Sequence, residues 1–335
     1  MVLKSDILVA REKFNPKNIP SSVDEFYKSD KSDGFVCLFK NGIEKSRENQ
    51  LAGESGWPKP IKLPSAINFE IPSRESGRSI PCRAIKPDAG RPVRGGFMHF
   101  HGGGFICGSH ELMDPILKQF TDGADLVTVS VGYRLSPEHP YPAAVEDAID
   151  AMEWLIDNAE KTFGGSLSFI GGDSAGAYLS MMCGLHLISH PDAKYLKFPL
   201  KGLLIYYGCM DMSLLPSFYI NNNDFSFDTC KRCMDLFVPD ETKRKDPAVS
   251  PLYFDFGRLP ADVRLPPVMF LCGTRDFFVD DTMLMYTRWL TAGGEAYLHL
   301  VPGAYHAFYE LPLDAFEGLQ EARDVADEFM RSKLG

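Results

Sequence analysis

Gly172-Asp173-Ser174-Ala175-Gly176 follows the apolar run Leu167-Ser168-Phe169-Ile170 and precedes Ala177-Tyr178-Leu179-Ser180-Met181-Met182, a stretch of helical character. A G-x-S-x-G pattern between a strand and a helix describes a nucleophile elbow, a sharp turn that lifts the serine hydroxyl off the sheet edge. Glycines flank the serine because a Cβ on either side would collide with neighbouring backbone. Alone, the pattern also fits an ordinary strand-to-helix turn.

Upstream, His101-Gly102-Gly103-Gly104 ends another strand-like run, Gly96-Phe97-Met98-His99-Phe100. Successive glycines leave backbone N–H groups uncovered, so a developing oxyanion can approach closely. Such a loop works with the N–H of the residue after the nucleophile, here Ala175. A merely flexible loop rarely follows an apolar strand and rarely begins with His.

An elbow of this type expects a carboxylate and then a histidine further along the chain. Val268-Met269-Phe270-Leu271-Cys272 reads as a buried strand with Gly273-Thr274-Arg275-Asp276 as its exit loop. Ala296-Tyr297-Leu298-His299-Leu300-Val301 reads as the next strand, and Pro302-Gly303-Ala304-Tyr305-His306 leaves it. Asp276 and His306 thus leave carboxyl ends of strands, the edge where ligands bind in open α/β sheets. Asp280 and Asp281 compete for the carboxylate role. Asp276 is preferred because it comes first after the strand; the other two suit a first helical turn, where acidic groups complement the dipole. Of the eight histidines, His99 and His299 lie inside strands, and His110, His139, His186 and His190 have no catalytic context. His101 is read as shaping the glycine loop, not as titrating in catalysis.

These pieces resemble the hormone-sensitive-lipase-like branch of the α/β-hydrolase carboxylesterases. The resemblance is carried by His101-Gly102-Gly103-Gly104-Phe105, Gly172-Asp173-Ser174-Ala175-Gly176 and Tyr133-Arg134-Leu135-Ser136-Pro137-Glu138-His139-Pro140. Pro142-Ala143-Ala144-Val145-Glu146-Asp147, Asp246-Pro247, Ser250-Pro251, Asp276 and His306 continue it, from about residue 65 to the C-terminus. It implies a triad of Ser174, Asp276 and His306, and oxyanion donors at Gly103, Gly104 and Ala175, with Gly102 as the fallback. The Tyr133-to-Asp147 stretch is then scaffolding, and Glu138 and Asp147 carry no chemistry. The implied activity is hydrolysis of short- to medium-chain acyl esters through an acyl-enzyme, with no cofactor and no metal. Amide or lactone hydrolysis by the same triad, acyl transfer to an alcohol, and a small-molecule receptor on the same fold are the alternatives. The presence of His306 speaks against the receptor. The resemblance also implies a homodimer through residues 296–301 and 313–333.

Composition narrows the field. A hydrophobic content of 44% in 335 residues supports a large core. A net charge of −10 argues against a nucleic-acid footprint, which needs clustered basic surface. There is no apolar window of about eighteen residues, so no membrane span is expected. The N-terminal run Ile7-Leu8-Val9-Ala10 is too short for a signal-peptide core, and a cytoplasmic location is expected. Eight cysteines in a chain this long do not make a disulfide scaffold. Cys230-Lys231-Arg232-Cys233 lacks the second ligand pair a structural zinc needs, and reads as two helix-borne thiols.

Strands are expected at 66–71, 80–85, 95–100, 126–132, 167–172, 202–207, 268–273 and 296–301. Helices are expected at 113–123, 143–162, 174–189, 280–292 and 313–333. This alternation predicts an α/β-hydrolase fold, with a mostly parallel eight-stranded sheet and helices on both faces. The first two strands are polar-alternating and read as an antiparallel edge hairpin. Residues 51–208 and 246–335 form the expected catalytic core. Residues 1–50 and 209–245 form an expected helical cap, with scattered aromatics (Phe14, Phe26, Tyr27, Phe35, Phe39, Phe225) to wall the crevice.

Overall fold

The computed structural model describes residues 9–29, 39, 42–54, 59–221 and 227–335. Ile7, Leu8, Phe35 and Phe225, invoked above, lie outside the described residues. Strand-forming runs rich in Val, Ile, Leu and Phe become β1 (Ile67–Pro72), β2 (Ser79–Ile85), β3 (Gly95–Phe100), β4 (Leu126–Val131), β5 (Leu167–Asp173), β6 (Gly202–Tyr206), β7 (Val268–Gly273) and β8 (Ala296–Val301). They form an eight-stranded sheet in the order β1-β2-β4-β3-β5-β6-β7-β8. β1 pairs antiparallel with β2, and β2 antiparallel with β4; every other pairing is parallel. The polar-alternating hairpin therefore occupies one edge, as its pattern predicts.

The helices are α1 (Ser21–Ser29), α2 (Ile43–Ala52), α3 (Asp114–Ala124), α4 (Ala143–Phe163), α5 (Ala175–Ile188), α6 (Ala193–Leu196), α7 (Pro216–Ile220), α8 (Phe227–Phe237), α9 (Val279–Thr291) and α10 (Leu319–Leu334). Four of the five expected helices match within about a residue at each end, the ordinary scatter of helix boundaries. The fifth starts later. Residues 313–318 turn instead of coiling, and the chain enters α10 through Gly318 at φ 98°.

β3, β4, β5, β6 and β7 are buried along their whole length, as parallel strands covered on both faces must be. Alternate side chains feed two cores. Met98, Phe100, Ile170, Leu203, Ile205 and Phe270 face the layer that includes α4, α5 and α9. Phe97, Phe169, Leu204, Met269 and Leu271 face the layer of α3 and α10, which Val23 of α1 joins. Each fully buried side chain of this size contributes about 1.5–3 kcal/mol. α5 is apolar on nearly every side and buried throughout most of its length, which fits its position behind β5 and β6.

The connections set the place of the site. From β3 the chain runs to β4 on one side, then crosses to β5 on the other. In an open α/β sheet such a reversal leaves a crevice at the strands' carboxyl ends. The glycine loop leaves β3 there, and Ser174 leaves β5.

Candidate active site

Ser174 takes φ 52° and ψ −114°, a strained conformation for a residue with a side chain. Its N–H donates to the Tyr206 carbonyl at 2.9 Å, which ties the elbow to the end of β6. The flanking glycines are forced by packing. A Cβ on Gly172 would lie 2.3 Å from the Phe100 carbonyl oxygen, and one on Gly176 only 1.9 Å from it. The elbow therefore presses directly on the last residue of β3.

The serine hydroxyl donates to His306 Nε2 at 2.9 Å. His306 Nδ1 lies 3.0 and 3.1 Å from the two Asp276 carboxylate oxygens, close enough to donate to that group. Asp276 is fully buried and also accepts the Phe278 N–H at 2.7 Å. Thus the structure brings Ser174, His306 and Asp276 into one hydrogen-bonded chain. The imidazole is further packed by aromatic rings. Phe277 stacks on it at 4.3 Å between centroids, and Phe278 and Tyr207 meet it edge-on at 5.4 and 5.0 Å.

Asp280 and Asp281, the competing carboxylates, are committed elsewhere. Asp280 accepts the Ser217 N–H at 2.8 Å. Asp281 accepts the Met210 and Asp211 N–H groups at 2.7 and 2.8 Å. Both lie in the first turn of α9, but burial pushes the Asp281 carboxyl well above its ordinary range. Its part is therefore to hold the loop after β6, rather than to supply charge to the helix dipole.

The glycine loop lines the same cavity as Ser174 and His306. Gly103 and Gly104 both have positive φ, 109° and 60°. The N–H groups of Gly103, Gly104 and Ala175 donate to no acceptor among the described residues. Behind the loop, His101 is buried and stacked on Tyr133 at 4.4 Å. Tyr133 donates to the His101 carbonyl at 2.7 Å, and His101 Nδ1 donates to the Gly102 carbonyl at 2.7 Å. Burial lowers the His101 imidazole to about 4, so it is a neutral brace. Asp147 is buried too, and accepts from the backbone and guanidinium of Arg134 at 3.0 and 3.1 Å and from Arg78.

Sequence reasoning missed several residues around the site. Arg47 of α2 donates to the carbonyls of Ile106 and Ser136 at 2.6 and 2.7 Å and pairs with Glu138. Gln50, one turn on, accepts the Gly108 N–H at 3.0 Å. α2 thereby grips the segment that follows the glycines, and Glu138 has a structural part. Cys230 and Cys233 lie on α8 as expected, and both line the cavity with Met234 and Cys107. Burial pushes the Cys107 and Cys230 thiols up to about 12, which keeps them protonated and unreactive. The cation of Arg232 sits 4.3 Å from the Phe39 ring, so the two expected cap segments touch. Only the aromatic pair after Asp276 carried a local signal for its place beside the imidazole.

Among the described residues, Glu153, His186 and His190 have metal-ligand spacing. Both imidazole Nε2 atoms turn to one Glu153 oxygen, at 3.1 and 3.3 Å. His190 Nδ1 accepts the Asp192 N–H at 2.9 Å, which leaves its proton on Nε2 as a donor to Glu153. The arrangement is a hydrogen-bonded cluster, and a metal at that nitrogen would have to displace the proton.

The site's surroundings agree with comparisons to known proteins. A model of the alpha/beta hydrolase fold family matches residues 97–310. The chain belongs to that family, in its hormone-sensitive-lipase-like branch. Esterase LipI of Mycobacterium tuberculosis is 46% identical over 85 residues, 25% of this chain, and the match spans only 26% of LipI's own length. An esterase of Acinetobacter venetianus is 26% identical over 273 residues, 80% of either chain. Among solved structures, EstE1, a thermostable carboxylesterase cloned from a metagenomic library, is 27% identical with a TM-score of 0.71, covering 90% of this chain and 98% of that one.

Proposed function

We propose that the protein is a serine carboxylesterase in which Ser174 attacks an ester carbonyl, His306 is the base and Asp276 orients it. The observation that carries this is the unbroken hydrogen-bonded chain from Asp276 through His306 to Ser174 at the wall of a cavity. His306 takes the serine proton, and Asp276 holds the imidazole tautomer and stabilises its cation. The tetrahedral oxyanion forms against the Gly103, Gly104 and Ala175 amides. One such donor is typically worth about 10²–10³ in rate. The alcohol departs with the proton from His306, and water then hydrolyses the acyl-enzyme by the same route.

The substrate is an uncharged ester with a short to medium acyl chain. A cavity of about 240 Å³ supports this, being smaller than the roughly 300–1,000 Å³ of drug-sized sites. Its walls include Leu112, Met113, Ile116, Met234 and Leu311, which suit an alkyl group. The expected homodimer forms through β8, the outer edge of the sheet, where Tyr297 is exposed. No described helix is long and apolar enough to cross a membrane. The seven described cysteines are buried free thiols, which supports placing the protein in the reducing cytoplasm.

Hydrolysis of p-nitrophenyl butyrate and covalent labelling by a fluorophosphonate test the assignment. Wild type is expected to do both. Ser174→Ala is expected to lose labelling altogether and turnover by about 10⁴-fold or more. Turnover at the wild-type level in that variant would overturn the proposal.

A further inference from the structure

Arg275 immediately precedes Asp276, and Tyr305 immediately precedes His306. Their loops continue the β7–β8 pairing past the end of the ladder. The Thr274 N–H donates to the Val301 carbonyl at 3.0 Å, and the Arg275 N–H to the Ala304 carbonyl at 3.1 Å. In return the Gly303 N–H donates to Thr274 Oγ1 at 2.8 Å. Helix α1 takes up the next two groups. The Tyr305 N–H donates to the Tyr27 hydroxyl at 3.2 Å, and Arg275 Nη1 donates to Asp24 Oδ1 at 2.6 Å. The Arg275 guanidinium also sits 5.5 Å from the Tyr305 ring, which Tyr27 meets edge-on at 4.6 Å. Asp24 and Tyr27 are three positions apart, so they share one helix face. That face touches both residues that lead into the catalytic pair.

The backbone is fitted to the same contact. Gly303 turns at φ 75°, and a Cβ there would lie 2.4 Å from Ile19 Cγ2 and 3.2 Å from Val23 Cγ1. Val23 is fully buried in the layer of α3 and α10, so α1 is anchored in the core. Lys13, upstream of α1, donates to the Leu300 carbonyl of β8 at 2.8 Å. No described residue of α1 lines the cavity, so the helix meets the two loops away from the substrate.

We propose that α1 is a positioning element for the triad, in which Asp24 and Tyr27 hold the Asp276 and His306 loops at a fixed separation. The proposal rests on the esterase reading above. His306 Nδ1 faces the two Asp276 oxygens at 3.0 and 3.1 Å, and that spacing is set between the ends of two separate loops. The Asp24–Arg275 pair fixes one end, the Tyr27–Tyr305 bond fixes the other, and the shared helix fixes the distance between them. A misplacement of about 1 Å can cost roughly 10²-fold in rate even when it originates far from the chemistry. Because α1 does not reach the cavity, its bonds act on kcat and leave substrate binding alone.

Steady-state kinetics on p-nitrophenyl butyrate test the proposal in Asp24→Ala, Asp24→Glu, Tyr27→Phe and the Asp24→Ala/Tyr27→Phe pair. Competent sites are counted by exhaustive fluorophosphonate labelling, and thermal melting is followed for each. Tyr27→Phe keeps the ring and removes only the hydroxyl acceptor. Asp24→Ala and Tyr27→Phe are each expected to lower kcat per labelled site about 5-fold, and the pair about 30-fold, with KM within about 2-fold of wild type. Asp24→Glu keeps a carboxylate for Arg275 and is expected to stay within about 2-fold of the wild-type kcat. A purely structural helix would lower melting while leaving kcat per labelled site intact, and a wall of the substrate pocket would raise KM with kcat unchanged. Either of those results, or Asp24→Glu as slow as Asp24→Ala, overturns the proposal. Should the pair not fold, Tyr27→Phe alone decides it. Wild type that neither turns over esters nor takes up a fluorophosphonate would instead defeat the esterase reading, so the two failures are distinct.

Discussion

The imidazole of His306 is held from every side: by a carboxylate, a hydroxyl and three aromatic rings. This packing allows the ring little freedom, so its tautomer depends on the Asp276 carboxylate accepting from Nδ1. Asp276→Asn places an amide there, which can donate to Nδ1 and drive the proton onto Nε2. The nitrogen facing Ser174 is then no longer a base. A fall in kcat of about 10³–10⁴-fold with little change in KM is expected, measured on p-nitrophenyl butyrate at pH 8. At this scale the sequence was informative. Ser174 and Asp276 each follow an apolar run that is a buried strand, and His306 follows the strand-like run at the sheet edge, so their common edge could be read from pattern. Glu310 could not be found that way. It reaches the cavity wall only once the loop after β8 is folded in place, and a lone Glu in a short turn has no local signature.

Helix α2 illustrates the same limit among elements. Arg47 contacts residues 59 to 91 positions away along the chain, and such contacts leave no periodic trace in sequence. Its guanidinium spans the Ile106 and Ser136 carbonyls, fixing the far side of the glycine loop. Arg47→Ala is expected to loosen the loop and lower kcat/KM about tenfold, a loss of roughly 1.4 kcal/mol in transition-state binding. Thermal stability is expected to change little, because Glu138, the charged partner, is half exposed at 52% and surface pairs contribute at most about 1 kcal/mol. Kinetics and a melting curve on one preparation separate the two effects. The strands and the long helices were legible because their apolar spacing is local. The start of α10 was misjudged because Leu313, Ala315 and Phe316 imitate a helical face, whereas Gly318 turns the backbone to the left-handed side.

Across the whole molecule, the layers were foreseeable from strand–helix alternation, but the charges they bury were not. Asp327 of α10 packs over Gly123 of α3, where a Cβ would lie 2.4 Å from its Oδ1, and that oxygen has no partner among the described residues. Burial raises its carboxyl from 3.8 to about 6. A group raised in the folded state favours folding most fully below its unfolded value, and that contribution is lost as pH rises through the folded one. Stability from this residue therefore declines between about pH 4 and 6 and stays low above. Asp327→Asn is expected to be more stable than wild type at pH 8 by about 1–3 kcal/mol and equal to it near pH 4, as read by urea unfolding at each pH. The sheet order carries a different consequence. Hydroxyl and oxyanion amides ride on the neighbours β3 and β5, while carboxylate and imidazole ride on β7 and β8, with β6 as the spacer between two half-sites. The span between the two half-sites is therefore set by the register of one central strand, and any shift of β6 against either neighbour moves the hydroxyl and its amides relative to the imidazole.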